Sequence, residues 1–453
     1  MSDSFWDLDN VAHALESCIV GTPPRGDRLL GNVSTDTRSI RPGDIFVALV
    51  GERFDGHDFL LAAVEAGARA LVVSHDVKVA SADVAIFQVQ DTLVALGSLA
   101  RFRRVVWGGT LIAVAGSNGK TSTKELLSAA LGSRLRVHAT SGNLNNRIGV
   151  PLTLLSLPAD ADVAVVELGT SIPGEIATLR DVARPDIAIV TSIAEEHLEG
   201  FGDIAGVLRE ESSVFRGVAV GIIPADDSRL ADAASPGRLV RAGLEHGDVH
   251  ASAWKLDTDG TGIAIVDDML IRSPLRGVHN LRNLMLAIAA AREVGVDARD
   301  AARGIATMTP PPMRANWQRF GSALVINDAY NSNPGSAIAG IEMLAAAPAS
   351  QKVAVLGSML ELGANSDRCH DDVARAALAS PADIIAAVGD FVPAFQRMAP
   401  TDRRVVVATD IESLWAALEP RLDRDATILL KASRGAKLER ILPLITSWAT
   451  RDC

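Results

Sequence analysis

Residues 111–122 read LIAVAGSNGKTS, and this stretch decides the fold of the chain. The apolar run from Leu111 to Ala115 predicts a buried strand that leads directly into a glycine turn. After the turn, apolar residues recur at helical spacing as far as Gly132, which predicts a helix. A strand, a glycine-rich turn and a helix in this order bind phosphate, because loop amides and the helix amino terminus point at the anion.

The candidate phosphate-binding residues occupy the turn and the start of the helix. They are Gly116, Ser117, Asn118, Gly119, Lys120, Thr121 and Ser122. In such a loop the lysine reaches the β and γ phosphates of ATP, and the threonine hydroxyl binds Mg²⁺. The spacing is shorter than in the usual phosphate loop, because Val114 stands where the first glycine is expected. The alternative interpretation is a glycine turn that merely caps a helix.

The segments that follow continue the pattern of a parallel sheet. DVAVVELG (162–169) and PDIAIVTS (185–192) are apolar runs that end in polar residues or glycine, as buried parallel strands do. Glu167 ends the first run, and His197 follows the second. Since ligands of open α/β sheets bind at the carboxyl ends of strands, both side chains are candidates for holding Mg²⁺ near the γ phosphate. For each of them taken singly, a solvated or capping residue is the alternative.

Changes of pattern divide the chain into three predicted domains, 1–107, 108–312 and 313–453. The first is predicted to be a small α/β domain. The second contains the phosphate loop and, at 249–276, an alternating pattern that predicts a small antiparallel sheet. After the proline cluster 310–312, apolar runs alternate with Ala- and Leu-rich helices, which predicts a Rossmann-like, doubly wound sheet. The fold class is therefore α/β.

Charge and composition argue against several classes of function. The chain has 44 basic and 55 acidic residues and a formal charge of -11, which indicates no binding to nucleic acid or anionic membranes. Cys18, Cys369 and Cys453 show no CxxC spacing, so neither a disulfide framework nor a cysteine metal site is expected. The start of the sequence resembles no export signal, and no apolar stretch approaches the ~18 residues of a membrane span. We expect a monomeric, cytoplasmic protein.

Several ordered motifs make the chain resemble the Mur ligases over nearly its whole length. They include STDTRSIRPGDIFVALVGERFDGHDF (34–59), GSNGKTSTKEL (116–126), SGNLNNRIGVPLTLL (141–155), HLEGFG (197–202) and INDAYNSNPGS (326–336). The resemblance implies an ADP-forming ligase that uses ATP and Mg²⁺. It implies that the terminal carboxylate of UDP-N-acetylmuramoyl-tripeptide becomes an acyl phosphate and is joined to D-alanyl-D-alanine, forming the pentapeptide precursor of peptidoglycan.

The same resemblance implies roles for individual residues. For the UDP-muramoyl substrate these are Ser34, Asp36, Thr37, Arg38, Arg53, His57, Asn143, Asn145 and Asn146. At the ATP they are Asn280 and Asn283, one helical turn apart and near the adenine, together with Arg314 and Asp328. Around the peptide and the incoming dipeptide they are Tyr330, Asn331, Asn333, Lys431, Ser433 and Arg434. Lys120, Glu167 and His197 are the implied catalytic residues, and Thr121, Glu167 and His197 the implied Mg²⁺ ligands. Turn formation is the alternative for the Asn-, Asp- and Gly-rich motifs.

One position departs from the pattern of the family. Relatives usually carry there a lysine that CO₂ converts to a carbamate, which helps to position a second Mg²⁺. This chain has Glu211, next to Glu210. A glutamate supplies an anionic oxygen without modification, although on a shorter stem, so Glu211 is a further candidate metal ligand. The alternative is a solvated helix face, with the metal held by Glu167, His197 and phosphate alone.

Other functions stay open at this point. One is a sister ligase that adds the preceding amino acid, and another is a ligase that adds glutamate to a folate. DAYNSNP (328–334) favours addition of the dipeptide, and no DNPR-type motif for diaminopimelate is present. A phosphate-loop kinase or a nucleotide-driven binding protein is disfavoured by the amino-terminal domain, which looks like a uridine-nucleotide-binding domain. The carboxyl-terminal domain is expected to bind the amine substrate and to close on ATP.

Overall fold

The computed structural model describes residues 5–20, 28–77 and 83–451. The expectations that rest on Cys453 and on the first four residues lie outside this part of the chain. Within it, helices and short strands alternate along the sequence. None of the helices described is both long enough and apolar enough to span a membrane.

The helices and strands follow in chain order. Up to residue 107 they are β1 (Trp6–Asp7), α1 (Leu8–Leu15), β2 (Leu29–Leu30), β3 (Val33–Ser34), β4 (Ile45–Val47), α2 (Leu60–Glu65), β5 (Ala70–Val73), β6 (Ala85–Gln88) and α3 (Thr92–Trp107). Next come β7 (Thr110–Ala115), α4 (Lys120–Gly132), β8 (Val137–Ala139), α5 (Gly149–Leu155), β9 (Val163–Glu167), α6 (Glu175–Ala183), β10 (Ile187–Val190), α7 (Leu198–Phe201), α8 (Ile204–Ser212), β11 (Val220–Pro224), α9 (Ser228–Ala233), β12 (Arg238–Gly243), β13 (Val249–His250), β14 (Ala253–Leu256), β15 (Thr261–Val266), β16 (Met269–Arg276), α10 (Val278–Glu293) and α11 (Ala298–Ile305). The last are β17 (Asn316–Phe320), β18 (Ala323–Asp328), α12 (Pro334–Ala346), β19 (Lys352–Leu356), α13 (Ser366–Ala379), β20 (Ile384–Val388), α14 (Phe391–Met398), β21 (Val405–Ala408), α15 (Ile411–Leu418), β22 (Thr427–Lys431) and α16 (Leu442–Thr450).

The chain forms two compact units, and each unit is built from several segments that are not contiguous in the sequence. The first comprises Met1–Ala113, Arg136–Thr170 and Glu175–Asp186, and the second comprises Val114–Leu135, Ser171–Gly174 and Ile187–Cys453. The phosphate loop and α4 therefore belong to the second unit, whereas Glu167 belongs to the first. The three-domain boundaries that the sequence suggests stay a prediction.

The first unit contains a four-stranded parallel sheet in the order β3-β4-β5-β6. Phe46, Leu71 and Val73 from these strands pack with Leu60 and Ala63 of α2 in a buried core. Each large side chain that is fully buried stabilises the fold by about 1.5–3 kcal/mol. The unit also holds the parallel pair β8 and β9, which ends at Glu167. The α/β fold predicted for the amino-terminal residues is therefore confirmed, whereas the domain boundary at residue 107 stays a prediction.

The second unit contains three sets of strands. The parallel strands β13-β12-β11-β10 lie in that order beside the end of β7, and β14-β15-β16 form the antiparallel sheet that the alternating pattern predicted. The third sheet has the order β17-β18-β22-β19-β20-β21, in which β17 is an antiparallel edge strand and the others are parallel. Its register sets Asp328 and Leu356 on either side of Lys431. The carboxyl ends of these neighbouring strands are where an open sheet binds ligands.

Candidate active site

The phosphate loop has the strand-loop-helix geometry that the sequence predicted. Strand β7 ends at Ala115 and helix α4 begins at Lys120. Gly116 has φ 113° and Gly119 has φ 89°, in the left-handed region that favours glycine. A Cβ on Gly119 would also lie 2.6 Å from Asn283 Oδ1. Both backbone conformation and space therefore require glycine in this loop.

The loop is braced by the residues that follow β10. Ser117 N–H donates to the carbonyl of Ser192 at 2.9 Å, and Asn118 N–H donates to Ser192 Oγ at 2.9 Å. The hydroxyl of Thr191 donates to the carbonyl of Asn118 at 2.7 Å. These bonds fix the loop conformation within the protein itself. Because the amides of Ser117 and Asn118 already donate to Ser192, they brace the loop and are not themselves the donors presented to an anion.

Lys120 lies folded back over its own loop. Its ammonium donates to the carbonyls of Gly116 and Ser117, the latter at 3.2 Å. The ammonium also pairs with Glu196 Oε1, 3.9 Å away. Contacts to loop carbonyls and to a carboxylate therefore hold the positive charge at the start of α4.

Glu196 is a buried carboxylate that the sequence analysis did not single out. Its residue surface is 4% exposed, and Oε1 has no hydrogen-bond partner among the described residues. Its Oε2 lies 3.8 Å from Nε2 of His197. Burial raises the pKa of Glu196, while the charges of Lys120 and His197 oppose that rise. This orphaned oxygen, which accepts no hydrogen bond from the described residues and lies 3.9 Å from the Lys120 ammonium, fits a cation, because a buried carboxylate oxygen that accepts no hydrogen bond is costly.

His197 lies at the start of α7 with φ 49°, a left-handed conformation. Its Nδ1 is in contact with Oε2 of Glu361, in the loop after β19. Burial opposes protonation of the imidazole, but the hydrogen bond to Glu361 and the charge of Glu196 outweigh burial and raise the pKa of His197. The ring thus lies between two carboxylates from different parts of the second unit.

Glu211 is directed into the phosphate loop. It is 1% exposed, and its Oε2 accepts a hydrogen bond from Gly116 N–H at 2.7 Å. Burial raises its pKa to about 7, the charge of Lys120 opposes that rise, and the charge of Glu196 adds to it. Glu210 is buried as well and accepts from Gly174 N–H at 2.8 Å. The alternative interpretation of this stretch as a solvated helix face is therefore wrong.

The donor set fits a cation that is shared with phosphates. In the parts of the chain that the structure describes, no three His, Cys, Asp or Glu side chains converge as a complete metal site. Mg²⁺ is usually bound by one or two carboxylates and completed by substrate phosphates and water. The orphaned oxygen of Glu196 and the buried carboxylate of Glu211, both next to the loop, agree with such an incomplete protein shell.

In the first unit, the buried side chain of Glu167 is hydrogen-bonded to the half-buried Asn145. Glu167 Oε1 accepts from Asn145 Nδ2 at 2.8 Å, and Glu167 N–H donates to Thr140 Oγ1 at 2.9 Å. Asn146 Oδ1 accepts from the amides of Ile148 and Gly149 and so fixes the start of α5. Asn143 is exposed. The structure thus brings Asn145, one of the three predicted asparagines, into contact with Glu167.

The other predicted substrate residues of the first unit form two local clusters. Asp36 pairs with Arg38, whose side chain and amide lower the pKa of Asp36 to about 2. Ser34 and Thr37 belong to the same turn, in which Ser34 Oγ donates to the carbonyl of Asp36 at 3.0 Å. In the second cluster His57 Nε2 accepts from the amide of Ser74 at 2.9 Å, so that Nδ1 carries the proton donated to Asp55. Arg53 is exposed.

Asn280 and Asn283 share one face of α10, as their spacing predicted. Asn283 Nδ2 donates to Asn280 Oδ1 at 3.1 Å, and Asn280 Nδ2 donates to the carbonyl of Arg276 at 2.8 Å. Both residues are buried, and Asn283 abuts Gly119. The pair therefore lies against the phosphate loop.

The predicted residues after 313 gather at the carboxyl ends of β18 and β22. Lys431 is 3% exposed and donates to Asp328 Oδ2 at 2.7 Å and to the carbonyl of Asn331 at 2.9 Å. The guanidinium of Arg314 lies 4.2 Å from the ring centroid of Tyr330. This contact is a cation–π interaction, and it places Arg314 beside the same strand ends.

Two further residues connect these strand ends to other segments. Asn333 caps α12, and its Nδ2 donates to Asn118 Oδ1 at 2.9 Å while Asn118 Nδ2 donates back at 3.2 Å. Ser433 Oγ accepts from the amide of Leu360 at 3.0 Å. Arg434 is exposed and pairs with Glu439. The amide pair links the phosphate loop to the INDAYNSNPGS motif.

Family models match most of the chain. Residues 30–104 match the Mur ligase family, catalytic domain; residues 114–291 match the Mur ligase middle domain; and residues 313–434 match the Mur ligase, glutamate ligase domain. The chain belongs to the Mur ligase family. Membership confirms the resemblance, the α/β fold class and the prediction of an ATP-dependent ligase.

Individual Mur ligases are similar over almost their full length. The UDP-N-acetylmuramoyl-tripeptide--D-alanyl-D-alanine ligase of Bacillus subtilis is 35% identical over 446 residues, which is 96% of this chain and 97% of that protein. A crystal structure of MurF from Acinetobacter baumannii matches with TM-score 0.90 and 30% identity, covering 98% and 99% of the two chains. The MurF ligase of Thermotoga maritima, solved in complex with ADP, matches with TM-score 0.82 and 29% identity over 93% and 98%.

Glu196 and Glu361 are the site residues that the sequence analysis missed. Glu196 stands in the run EEH, which looks like a solvated acidic turn. A carboxylate directly before a candidate metal-binding histidine, in the segment that follows a buried strand, is the signal that could have found it. Glu361 is separated from His197 by 164 positions, and only the packed structure reveals that contact.

Breaking the pair between Lys431 and Asp328 is expected to destabilise this Mur ligase. Lys431→Met leaves a largely buried carboxylate without its ammonium, which costs about 3 kcal/mol and lowers the melting temperature in calorimetry. Arg440→Met is the matched control, because it breaks an exposed pair with Glu412 and should cost less than about 1 kcal/mol. Adding Asp328→Asn to Lys431→Met should recover part of the loss. Equal melting temperatures for both single variants would contradict the assignment.

Proposed function

We propose that this Mur ligase joins D-alanyl-D-alanine to the terminal carboxylate of UDP-N-acetylmuramoyl-tripeptide and forms ADP and phosphate. The proposal is supported by relatives of that activity, which match over nearly the full length. The observation that carries it is the reciprocal bond between Asn118 of the phosphate loop and Asn333 of INDAYNSNPGS. It sets the ATP loop beside the motif that favours the dipeptide-adding members of the family.

In the proposed mechanism the residues of the second unit position ATP and balance charge. Lys120 leaves the loop carbonyls and contacts the transferring phosphoryl group, while the loop amides stay braced. Asn280 and Asn283 hold the adenine side, and Arg314 and Asp328 contact the nucleotide. Mg²⁺, when bound, would offset negative charge on the phosphates.

Four side chains are proposed to hold Mg²⁺. By resemblance Thr121, Glu167 and His197 are ligands, and Glu211 stands where relatives carry the modified lysine. Glu196, whose Oε1 accepts no hydrogen bond from the described residues and lies next to Lys120, is proposed to add a further negative charge near the Mg²⁺. Two negative oxygens beside one ammonium leave the loop suited to a divalent cation and a polyphosphate together.

The substrate that carries the carboxylate and the substrate that carries the amine are proposed to bind on different domains. Residues 1–107 bind the uridine nucleotide through Ser34, Asp36, Thr37, Arg38, Arg53 and His57, and Asn143, Asn145 and Asn146 face the muramoyl group. Residues 108–312 bind ATP. Residues 313–453 bind D-alanyl-D-alanine and close on ATP. The peptide and the incoming dipeptide are framed by Tyr330, Asn331, Asn333, Lys431, Ser433 and Arg434. We propose a cytoplasmic monomer.

The amine attacks an acyl phosphate that forms on the peptide, and no covalent bond to the protein is needed. The attack is accelerated by orientation of the two reactants, because holding both in place replaces a bimolecular encounter. The main task of this chain is therefore to exclude water and align the carboxylate, the γ phosphate and the amine.

Phosphate release across a panel of acceptors and amines tests the proposal. We expect release only when ATP, Mg²⁺, UDP-N-acetylmuramoyl-tripeptide and D-alanyl-D-alanine are all present, with the pentapeptide detected by mass spectrometry. A sister ligase would instead prefer a shorter muramoyl peptide or a folate with a single amino acid. A stable phosphorylated product without any amine would identify a kinase and overturn the proposal.

A further inference from the structure

Two segments of the second unit meet through polar contacts around His197. We name them the histidine segment, residues 195–202, and the partner loop, residues 359–368, whose last three residues form the start of α13. The amide of Glu199 donates to the carbonyl of Glu361 at 3.1 Å, and Asn365 Nδ2 donates to the carbonyl of Gly202 at 3.4 Å. Arg368 pairs with Glu195 at 2.7 Å. The contact thus joins a segment that follows β10 to a loop that follows β19.

The backbone at this contact is held in sparsely populated conformations. His197 has φ 49° and Glu361 has φ 64°, although neither is glycine. A Cβ on Gly363 would lie 3.0 Å from the Cα of Glu199, so the two segments approach each other closely. Such conformations persist when the surrounding structure determines them, and they cluster at functional sites.

Hydrogen bonds to residues outside the histidine segment hold the partner loop in place on both sides of Glu361. His370 Nε2 accepts from the amide of Met359 at 3.0 Å, and His370 Nδ1 lies 2.8 Å from the carbonyl of Ser366. Ser433 Oγ accepts from the amide of Leu360 at 3.0 Å. The residues on both sides of Glu361 are therefore anchored to α13 and to the end of β22.

The two nitrogens of His197 face different groups. Nδ1 contacts the carboxylate of Glu361, and Nε2 faces Glu196, whose other oxygen lies 3.9 Å from Lys120. When one imidazole nitrogen donates its proton to a carboxylate, the lone pair resides on the other nitrogen. Metal-binding histidines use this arrangement, because the carboxylate fixes both ring orientation and tautomer.

We propose that Glu361 is a positioning residue that holds His197 with the Nε2 lone pair directed to the phosphate loop, and thereby makes cation binding there depend on the partner loop. The role in catalysis rests on the proposed function, whereas the orientation of the ring does not. Because Glu361 follows β19 of the six-stranded sheet, withdrawal of the partner loop would release the imidazole. Packing of the partner loop would complete the cation site.

The tautomer of His197 is the first test. In metal-free protein, at a pH high enough for the imidazole to be neutral despite its raised pKa, long-range ¹H–¹⁵N spectra should show the proton on Nδ1 and not on Nε2, with the signal assigned by its loss in His197→Gln. Glu361→Ala should shift the ring toward the Nε2-protonated form, and Glu361→Gln should retain the wild-type tautomer, because its amide oxygen still accepts from Nδ1–H. Arg368→Ala is the matched control, because it weakens the same contact without touching the ring.

Cation affinity is the second test, with Mn²⁺ as the probe and ADP present. Electron paramagnetic resonance of free Mn²⁺ should show about 10–100-fold weaker binding in Glu361→Ala and a smaller loss in Glu361→Gln. Arg368→Ala should change affinity less than about threefold. The proposal is overturned if Glu361→Ala keeps both the tautomer and the affinity, or if Arg368→Ala loses as much. Neither readout needs peptide ligation, so absence of the proposed ligase activity would be a separate result.

Discussion

Lys120→Met will lower the rate of phosphate release by about 10³-fold. The structure holds the ammonium of Lys120 against the loop carbonyls of Gly116 and Ser117. Phosphoryl transfer proceeds by positioning and charge stabilisation, and methionine keeps the length of the side chain but removes its charge. The loss should appear mainly in kcat, measured with all substrates saturating.

Lys255→Met serves as the matched control for that experiment. Lys255 is exposed on β14, so its replacement removes the same charge without touching the loop and should leave kcat within about twofold of wild type. Binding of the UDP-muramoyl substrate should be unchanged in both variants, because its proposed residues lie in the first unit. Retention of more than about a tenth of the wild-type rate by Lys120→Met would show that another group carries the phosphoryl charge.

Wild-type activity will be independent of CO₂, and this result tests whether Glu211 supplies the charge of the modified lysine of relatives. Its carboxylate is buried and already in contact with Gly116 N–H. Stripping CO₂ and bicarbonate from the buffer should leave the rate unchanged, whereas Glu211→Gln should lose about 10²-fold. Glu211→Lys should be inactive without bicarbonate and partly restored by it. A steep, bicarbonate-reversible loss in the wild type would contradict the hypothesis.

Stability against pH gives an independent measurement on the same residue. A pKa raised from 4.5 to about 7 means that the folded protein keeps the proton of Glu211 when the unfolded chain has lost it. The free energy of unfolding therefore falls as pH rises through this interval and is constant above it. At pH 8, ionisation of the buried Glu211 therefore lowers the free energy of unfolding by at most about 3 kcal/mol.

Glu211→Gln removes this penalty, because its amide oxygen can still accept from Gly116 N–H. In metal-free buffer the variant should melt at a higher temperature than the wild type at about pH 8 and at an equal temperature at about pH 5. Glu52→Gln, which replaces an exposed carboxylate, is the control and should show no such pH-dependent difference. A variant that melts lower at both pH values would mean that the negative charge stabilises the loop.

Local pattern was enough to predict much of the phosphate site. The strand, the glycine turn and the helix from Lys120 depend on residues adjacent in sequence, and so does the placement of Asn280 and Asn283 on one helix face. These features follow from periodicity and backbone preference, which a single sequence displays directly.

Contacts between distant segments could not be predicted in the same way. Two such contacts join residues far apart in sequence, Asn118 with Asn333 and His197 with Glu361. The local sequence around either partner does not indicate which residue it will contact. For the same reason the sequence leaves open whether Glu211 is buried, since the run REES looks like an exposed helix turn. Charge runs are poor guides to burial when another element covers them.

The amide pair of Asn118 and Asn333 has a chemical consequence beyond positioning. Asn118 precedes Gly119, and an asparagine before glycine ages by attack of the following amide nitrogen on its own side chain. That ring closure needs a mobile backbone and a carboxamide free to rotate. Here the carboxamide of Asn118 is bound twice to Asn333, and its backbone is bound to Ser192 and Thr191. The packing that orders the loop thus also protects the enzyme from spontaneous deamidation during its working life.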